Sequence, residues 1–159
     1  MGLCLQAGAT CLSAINNGRC SMNMIELRMH QGIEIAKKVL SAPKFTFAEI
    51  KPSQIPDAPG VYVIKNQDTD ETLYVGRTKN LRQRIYSNHL HGPLSNARLK
   101  KYLIEDPNEP SITDLTTAKQ YLKDCCYIQF QIIDDLLERG QVEGLLSFLL
   151  DVRYLYEEH

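Results

Sequence analysis

The chain has 159 residues, of which 43% are hydrophobic and 23% are charged, and its formal net charge is -1. This length allows one domain with a real hydrophobic core, and the composition is that of a globular protein rather than a fibrous or low-complexity one. No apolar run approaches the roughly 18 residues needed to span a bilayer, so we expect no association with a membrane. The net charge alone neither favours nor excludes a nucleic-acid partner.

Cysteine usage indicates a reducing compartment. The five cysteines are odd in number, and none has the CxxC spacing of a zinc site. Cys125 and Cys126 are adjacent at the start of a predicted strand, so one should lie in the core and the other half-exposed. We therefore expect reduced thiols and a cytoplasmic protein.

The chain divides into three parts. Residues 1–23 contain three cysteines, one arginine and no acid, and their apolar stretch is too short and broken for a secretory signal. We interpret them as a disordered or over-annotated extension. Residues 24–55 are predicted to form an N-terminal helix and a connector, and residues 56–159 the main domain.

The N-terminal helix is predicted over Ile25 to Leu40, because apolar residues recur there every three or four positions. Its apolar face could complete the core, which we favour, or serve a homodimer or protein partner. A connecting segment from Phe45 to Ile55 follows, and Pro56 to Gly60 reads as a turn.

A β-hairpin comes next. Val61 to Ile64 is rich in β-branched and aromatic residues, and Thr72 to Val75 is the second strand, which we expect Gly76 to end. Because side chains alternate along a strand, Tyr62 should share a face with Ile64, opposite Val61 and Val63.

The rest of the chain is mainly helical. Asn80 is predicted to cap a helix from Leu81 to about Leu90, and Ser95 or Asn96 one running to Ile104. Further predictions are a helix over Thr116 to Lys123, a strand over Cys126 to Ile133 and a last helix capped by Asp134 or Asp135. The fold class is α+β, with a small three-stranded antiparallel sheet flanked by helices and an extra N-terminal helix.

A basic stripe follows the hairpin. From Arg77 to Tyr102 the chain has no Asp or Glu and seven Lys or Arg, namely Arg77, Lys79, Arg82, Arg84, Arg98, Lys100 and Lys101. Such a stripe on a near-neutral protein can bind phosphates, and a solvated basic helix face is the alternative. The helix from Leu81 would also present its positive end and free N–H groups to an anion.

Two motifs and two single residues together resemble the GIY-YIG nuclease superfamily. Gly60-Val61-Tyr62 is similar to the first motif of that family, and Tyr74-Val75-Gly76 is similar to the second. The catalytic arginine of the family, ten residues after the second tyrosine, corresponds to Arg84. Its metal-binding glutamate, on a late helix, corresponds to Glu143. Each tripeptide alone is weak, but their order and spacing over residues 56–156 are specific.

The resemblance implies a metal-dependent endonuclease that hydrolyses DNA phosphodiester bonds with Mg2+ or Mn2+. Glu143 would hold the metal, and a carboxylate turned toward an apolar stretch does need a cation or donor. Arg84 would neutralise charge on the phosphate, Tyr62 would activate the attacking water and Tyr74 would orient it. The expected contacts to the DNA backbone are Arg77, Lys79, Arg82, Lys100 and Lys101.

Two positions depart from the family pattern. Members often carry His or Tyr four residues after the arginine, where this chain has Asn88, and the next residue, His89, is a candidate for that role through a small helix adjustment. Leu155 stands where members often have Asn. One alternative is therefore a catalytically degenerate module that binds DNA or a protein without cutting. A weaker alternative is an RNA-binding domain, in which Tyr127 and Phe130 would be exposed for base stacking.

Overall fold

The computed structural model describes residues 23–155, so the predicted extension over residues 1–23 lies outside the described residues apart from Asn23. The helices and strands are α1 Met24–Leu40, β1 Phe45–Thr46, β2 Gly60–Asn66, β3 Thr72–Thr78, the π helix Gln83–His91, α2 Arg98–Glu105, α3 Leu115–Cys125, β4 Cys126–Ile132 and α4 Leu136–Leu149. Within this range no helix is both long enough and apolar enough to cross a membrane.

The sheet is antiparallel, with strand order β1-β4-β2-β3. The predicted α+β class and the extra N-terminal helix are confirmed, but the sheet has four strands instead of three. The additional strand, β1, lies in the predicted connector and pairs Phe45 with Ile128 and Thr46 with Tyr127. Two residues are too few to show an alternating pattern, so this strand could not be predicted from the sequence.

The two faces of β2 are divided as the alternation predicts. Tyr62 and Ile64 belong to a core cluster that includes residues of the π helix, α2 and α3. Val61 and Val63 belong to a second cluster, which joins the sheet to α1 and α4. The hairpin therefore carries Tyr62 toward the π helix and leaves the opposite face to hold α4, the helix that carries Glu143.

β3 continues through Gly76 to Thr78, so the predicted end of this strand at Gly76 is wrong. Gly76 lies directly opposite Tyr62 in the β2–β3 ladder. A Cβ at Gly76 would stand 2.5 Å from the Tyr62 hydroxyl, so this position accepts glycine because the phenol needs the space. The glycine serves close packing and does not end the strand.

Helix α1 contributes less to the core than its periodicity indicates. Ala36 and Val39 are buried, but Ile25 and Met29 are 72% and 60% exposed. The predicted core face is therefore wrong for the first half of the helix, because the residues that α1 buries lie only in its C-terminal half. Periodicity identifies an apolar face but does not say how much of that face finds a partner.

The helix caps are partly as expected. The Asn80 side chain accepts a hydrogen bond from the Gln83 amide at 2.9 Å, and Asp135 accepts one from Glu138 at 2.7 Å. Helix α2 begins instead after Ala97, which offers no side-chain cap. Ser95 and Asn96, the predicted caps, lie in a short 3-10 turn, Leu94–Asn96, ahead of it.

Two smaller expectations concern β4 and its neighbours. Cys126 is buried and Cys125 is half-buried, and both thiols are free, as predicted. Tyr127 is only 4% exposed, and Phe130 stacks on Phe45 with ring centroids 5.4 Å apart. Tyr127 is therefore not free on the sheet for a base and one face of Phe130 is covered, which weakens the RNA-binding alternative.

Candidate active site

The buried centre of the site is the Tyr62 hydroxyl. Nε of Arg84 donates to it at 3.0 Å, and Nε2 of His89 lies 3.1 Å from it. Tyr62 is fully buried, and this burial raises the pKa of its phenol well above the usual range. The enclosed phenol does not line the cavity, so the geometry favours a positioning role for Tyr62 over the predicted activation of the water.

A π helix, Gln83–His91, replaces the α-helix predicted for this segment. In an α-helix the residue in line with Arg84 would be Asn88, four positions later, whereas the wider π turn brings His89, five positions later, to the same side. His89 is buried with its ring centroid 5.5 Å from that of Tyr62. The helix adjustment considered from the sequence thus exists, and it spans most of the helix.

His89 is neutral at physiological pH. Burial, with the nearby charges of Arg84 and Lys100, lowers its pKa to about 3. Its Nδ1 has no hydrogen-bond partner, the one such buried side-chain nitrogen or oxygen in residues 23–155. The ring is therefore held by packing and by Tyr62 alone, and it supports the phenol rather than meeting solvent.

An open cavity of about 690 Å³ lies beside this buried centre. Tyr74 and Arg84 border it from the hairpin and the π helix, and Glu143 borders it from α4. Nη1 of Arg84 donates to the Asn96 carbonyl at 2.8 Å, so both ends of the guanidinium are fixed. Of the two motif tyrosines, Tyr74 borders the cavity, whereas Tyr62 lies behind Gly76.

Glu143 is paired with Arg77. Its Oε2 lies 3.0 Å from Nε of Arg77, and its Oε1 accepts the Arg77 backbone N–H at 3.2 Å. Arg77 also passes so close to Gly140 that a Cβ there would overlap its guanidinium. Burial raises the pKa of the Glu143 carboxyl, and the charge of Arg77 opposes that rise.

Glu143 is the carboxylate at this cavity that could bind a divalent cation. Residues 23–155 contain no group of three or more His, Cys, Asp or Glu side chains that could hold a metal. Mg2+ commonly binds through one or two carboxylates and keeps several waters, and the single half-buried carboxylate of Glu143 at an open cavity fits that pattern. Binding would need Arg77 to release at least one carboxylate oxygen.

Lys100 is not a DNA-backbone contact, contrary to the expectation from the sequence. It is completely buried, and its Nζ donates to the carbonyls of Asn88 at 2.8 Å and Gly92 at 2.7 Å. Burial and neighbouring cations lower its pKa to about 8. Lys100 satisfies carbonyls that the π helix leaves unpaired at its C-terminal end, so its function is structural.

The remaining predicted backbone contacts lie outside the cavity lining, except Arg77. Lys79 and Lys101 are exposed. Nε of Arg82 donates to the carbonyls of Pro52 and Ile55, so this arginine ties the preceding loop to the helix.

The expected anion site at the start of this helix is absent. The amides of Leu81 and Arg82 donate to the carbonyls of Ala58 and Pro56, at 2.8 and 3.2 Å. Because Gln83 donates to the Asn80 side chain, the first N–H groups are all occupied. Phosphate binding must therefore depend on the arginines that border the cavity.

Several residues that line the cavity were not predicted as site residues from the sequence, namely Asn96, Arg98, Tyr102, Gly140, Ser147 and Tyr154. Arg98 and Tyr102 are four residues apart on α2, a spacing that places both on one side of a helix and could have signalled them. The others carry no local pattern, because α4 and the C-terminal segment meet the cavity only through the tertiary fold.

Comparison with known proteins finds similarity to one family. Residues 58–128 match the family model described as the GIY-YIG catalytic domain, the same family that the sequence motifs resemble. A curated relative, UvrABC system protein C of Streptomyces griseus, is 54% identical over 35 residues. That match covers 22% of this chain and 5% of the relative, so the chain spans only a small part of that protein.

The chain was also compared with solved structures. Two structures of the GIY-YIG N-terminal endonuclease domain of UvrC from Thermotoga maritima align with a TM-score of 0.40 each. The first is a point mutant bound to its catalytic divalent cation, with 19% identity over 78% of this chain and 97% of that one. The second is bound to magnesium, with 20% identity over 77% and 97%.

Proposed function

We propose that this chain is a metal-dependent endonuclease that hydrolyses DNA phosphodiester bonds. The observation that supports it best is the fixed guanidinium of Arg84, held by Tyr62 and the Asn96 carbonyl at a cavity that also contains Glu143. A preorganised cation facing a carboxylate across an open cavity suits a phosphodiester, whose charge grows on the way to the transition state.

Arg84 binds the scissile phosphate and neutralises the charge that develops on its non-bridging oxygens. Tyr62 and His89 act behind it, since both are buried, Tyr62 holds the guanidinium and His89 supports Tyr62. Tyr74 orients the attacking water or the phosphate through its hydroxyl, because it is the site phenol that borders the cavity. A buried network of this kind reduces the reorganisation needed when the substrate binds.

Glu143 would hold one Mg2+ or Mn2+ together with water molecules. Such an ion, when bound, polarises the phosphate and stabilises the leaving oxygen. Arg77 occupies both oxygens of Glu143 in the structure, so it must move before a cation can bind. Its guanidinium would then be available to the DNA backbone, which links substrate binding to the release of Glu143.

The DNA backbone would run along the exposed cations Lys79 and Lys101 to Arg77 at the cavity. Contacts of this kind depend strongly on salt and only weakly on sequence. We expect recognition of DNA shape, or guidance by a partner protein or a second copy. The exposed first half of α1 is the surface that such a partner would use.

The decisive experiment is nicking of supercoiled plasmid by the purified chain with Mg2+, Mn2+ or EDTA. We expect metal-dependent nicking by the wild type and none by Glu143→Ala. Glu138→Ala changes a carboxylate on the same helix outside the cavity lining, and it should nick like the wild type. Equal nicking by both variants would overturn the assignment of Glu143.

The second candidate is a module that binds DNA without cutting it. The observation that favours it is the complete pairing of Glu143 with Arg77, together with Leu155 at the cavity wall. Salt-dependent DNA binding, without nicking of any substrate in either metal and with unchanged binding by Glu143→Ala, would support this alternative.

A further inference from the structure

One wall of the cavity is aromatic. Tyr102, on α2, lines the cavity and is half-buried. One face of its ring stacks on Tyr154, with centroids 6.0 Å apart and ring planes 10° from parallel. Tyr154 covers one face of the Tyr102 ring, and both tyrosines line the cavity, so the stacked pair offers an aromatic surface there.

The Tyr154 ring, which stacks on Tyr102, is held by several contacts. The Tyr154 hydroxyl donates to Asp106 at 2.6 Å, and the Arg153 guanidinium lies 5.3 Å from the Tyr154 ring centroid. Arg153 donates to the carboxylates of Asp106 and Glu109. The backbone amides of Arg153 and Tyr154 bond to carbonyls of β3. This stack is therefore rigid, and a planar ligand would lose little free energy in ordering it.

The surroundings of Tyr102 combine apolar and polar groups. Leu155 is 53% exposed and lines the same cavity, so it offers an apolar edge. Asn96 and Arg98 also line it and carry hydrogen-bond donors. The Asn96 carbonyl accepts from Nη1 of Arg84, which places this compartment next to the proposed phosphate site.

We propose that this compartment, formed by Asn96, Arg98, Tyr102, Tyr154 and Leu155, receives one unstacked nucleobase beside the phosphate that Arg84 holds. The proposal rests on the proposed function and names its substrate class, DNA with an unpaired or extruded nucleotide at the cleavage site. A base within a regular duplex has both faces covered by its neighbours, whereas an unpaired base can be extruded at low cost. The compartment favours that base because every nucleobase has a face that can stack on an aromatic ring.

The test compares two labelled duplexes that differ by one bulged nucleotide, replaced by 2-aminopurine for fluorescence. We expect the wild type to cut the bulged duplex about tenfold faster than the paired one, in keeping with the strength of base–aromatic stacking. Binding should quench the 2-aminopurine. Tyr102→Phe keeps the aromatic face and should keep both effects.

Tyr102→Leu should lower the ratio of the two rates at least about fivefold and abolish the quenching, because the stacking surface is lost. Phe148→Leu is the matched control, since Phe148 is 83% exposed and does not line the cavity, and it should behave as the wild type. Melting temperatures establish that each variant is folded. A wild type without preference or quenching, or a Tyr102→Leu variant that retains both, would overturn the proposal.

Failure of the proposed nuclease activity gives a different pattern. A protein that cuts neither duplex with Mg2+ or Mn2+ would contradict the function, while quenching by the wild type and its loss in Tyr102→Leu would still establish the base compartment. Cutting of both duplexes at equal rates, without quenching, would support the nuclease and contradict the compartment.

Discussion

Nε of Arg84 donates to the hydroxyl of Tyr62 at 3.0 Å, and this contact joins the site to the core of the fold. Tyr62 comes from the central part of the sheet and Arg84 from the π helix, so the bond fixes the direction of the guanidinium relative to β2 and β3. We propose that the first-motif tyrosine acts through this arginine rather than on the attacking water.

Removing the Tyr62 hydroxyl tests this positioning role. Tyr62→Phe should lower the cleavage rate at least about tenfold and the free energy of unfolding by about 1–3 kcal/mol, because Arg84 and His89 each lose a buried partner. The pH dependence of the remaining activity should keep its shape, since Tyr62 exchanges no proton with the reacting water. A pH–rate profile that loses a limb in this variant would contradict the interpretation and restore Tyr62 as the base.

The two strands of the hairpin and the faces of β2 could be predicted from the sequence. The π helix and the burial of Lys100 could not. Alternation placed Tyr62 and Val61 on opposite faces correctly, because a buried β2 imposes period two. Nothing local signals a π helix, and its register brings His89 rather than Asn88 to the Tyr62 hydroxyl. The burial of Lys100 also escaped prediction, since a lysine in a basic stripe looks exposed until the helices around it are assembled.

Arg77→Ala removes the guanidinium that pairs with Glu143. The variant should bind Mn2+ more tightly in the absence of DNA, because the cation no longer competes with a guanidinium for the carboxylate. Its affinity for DNA should fall, since a cation at the cavity is lost. Electron paramagnetic resonance of Mn2+ and fluorescence anisotropy of labelled DNA measure the two changes. Weaker or unchanged Mn2+ binding would contradict the pairing as a barrier to the metal.

Neighbouring lysines on α2 should differ in what they support. Lys100→Met leaves the carbonyls of Asn88 and Gly92 without their donor, so it should lower the free energy of unfolding by about 1–3 kcal/mol. Lys101→Met removes an exposed cation, so it should change stability little and lower the slope of log affinity against log salt by about one. Thermal melts and salt titrations of DNA binding distinguish the two, and an unaltered melt for Lys100→Met would refute the structural role.

The lowered pKa of Lys100 predicts that the free energy of unfolding depends on pH. Burial lowers its pKa to about 8, below the 10.5 of an ordinary lysine, so between these pH values the unfolded chain binds more protons than the folded one. The free energy of unfolding of the wild type should therefore rise with pH across this window relative to Lys100→Met. Urea titrations of both proteins at several pH values measure the difference, and a difference that is constant with pH would contradict the buried ammonium.

The most direct test of the account is single-turnover cleavage of labelled DNA by Arg84→Ala with Mg2+, beside a measurement of its DNA affinity and its melting temperature. We predict that a folded variant loses about a hundredfold or more in rate, as expected when a preorganised charge is removed from a transition state. Its affinity for DNA should change far less. A variant that cuts at the wild-type rate would show that the chemistry takes place away from Arg84 and would contradict the account.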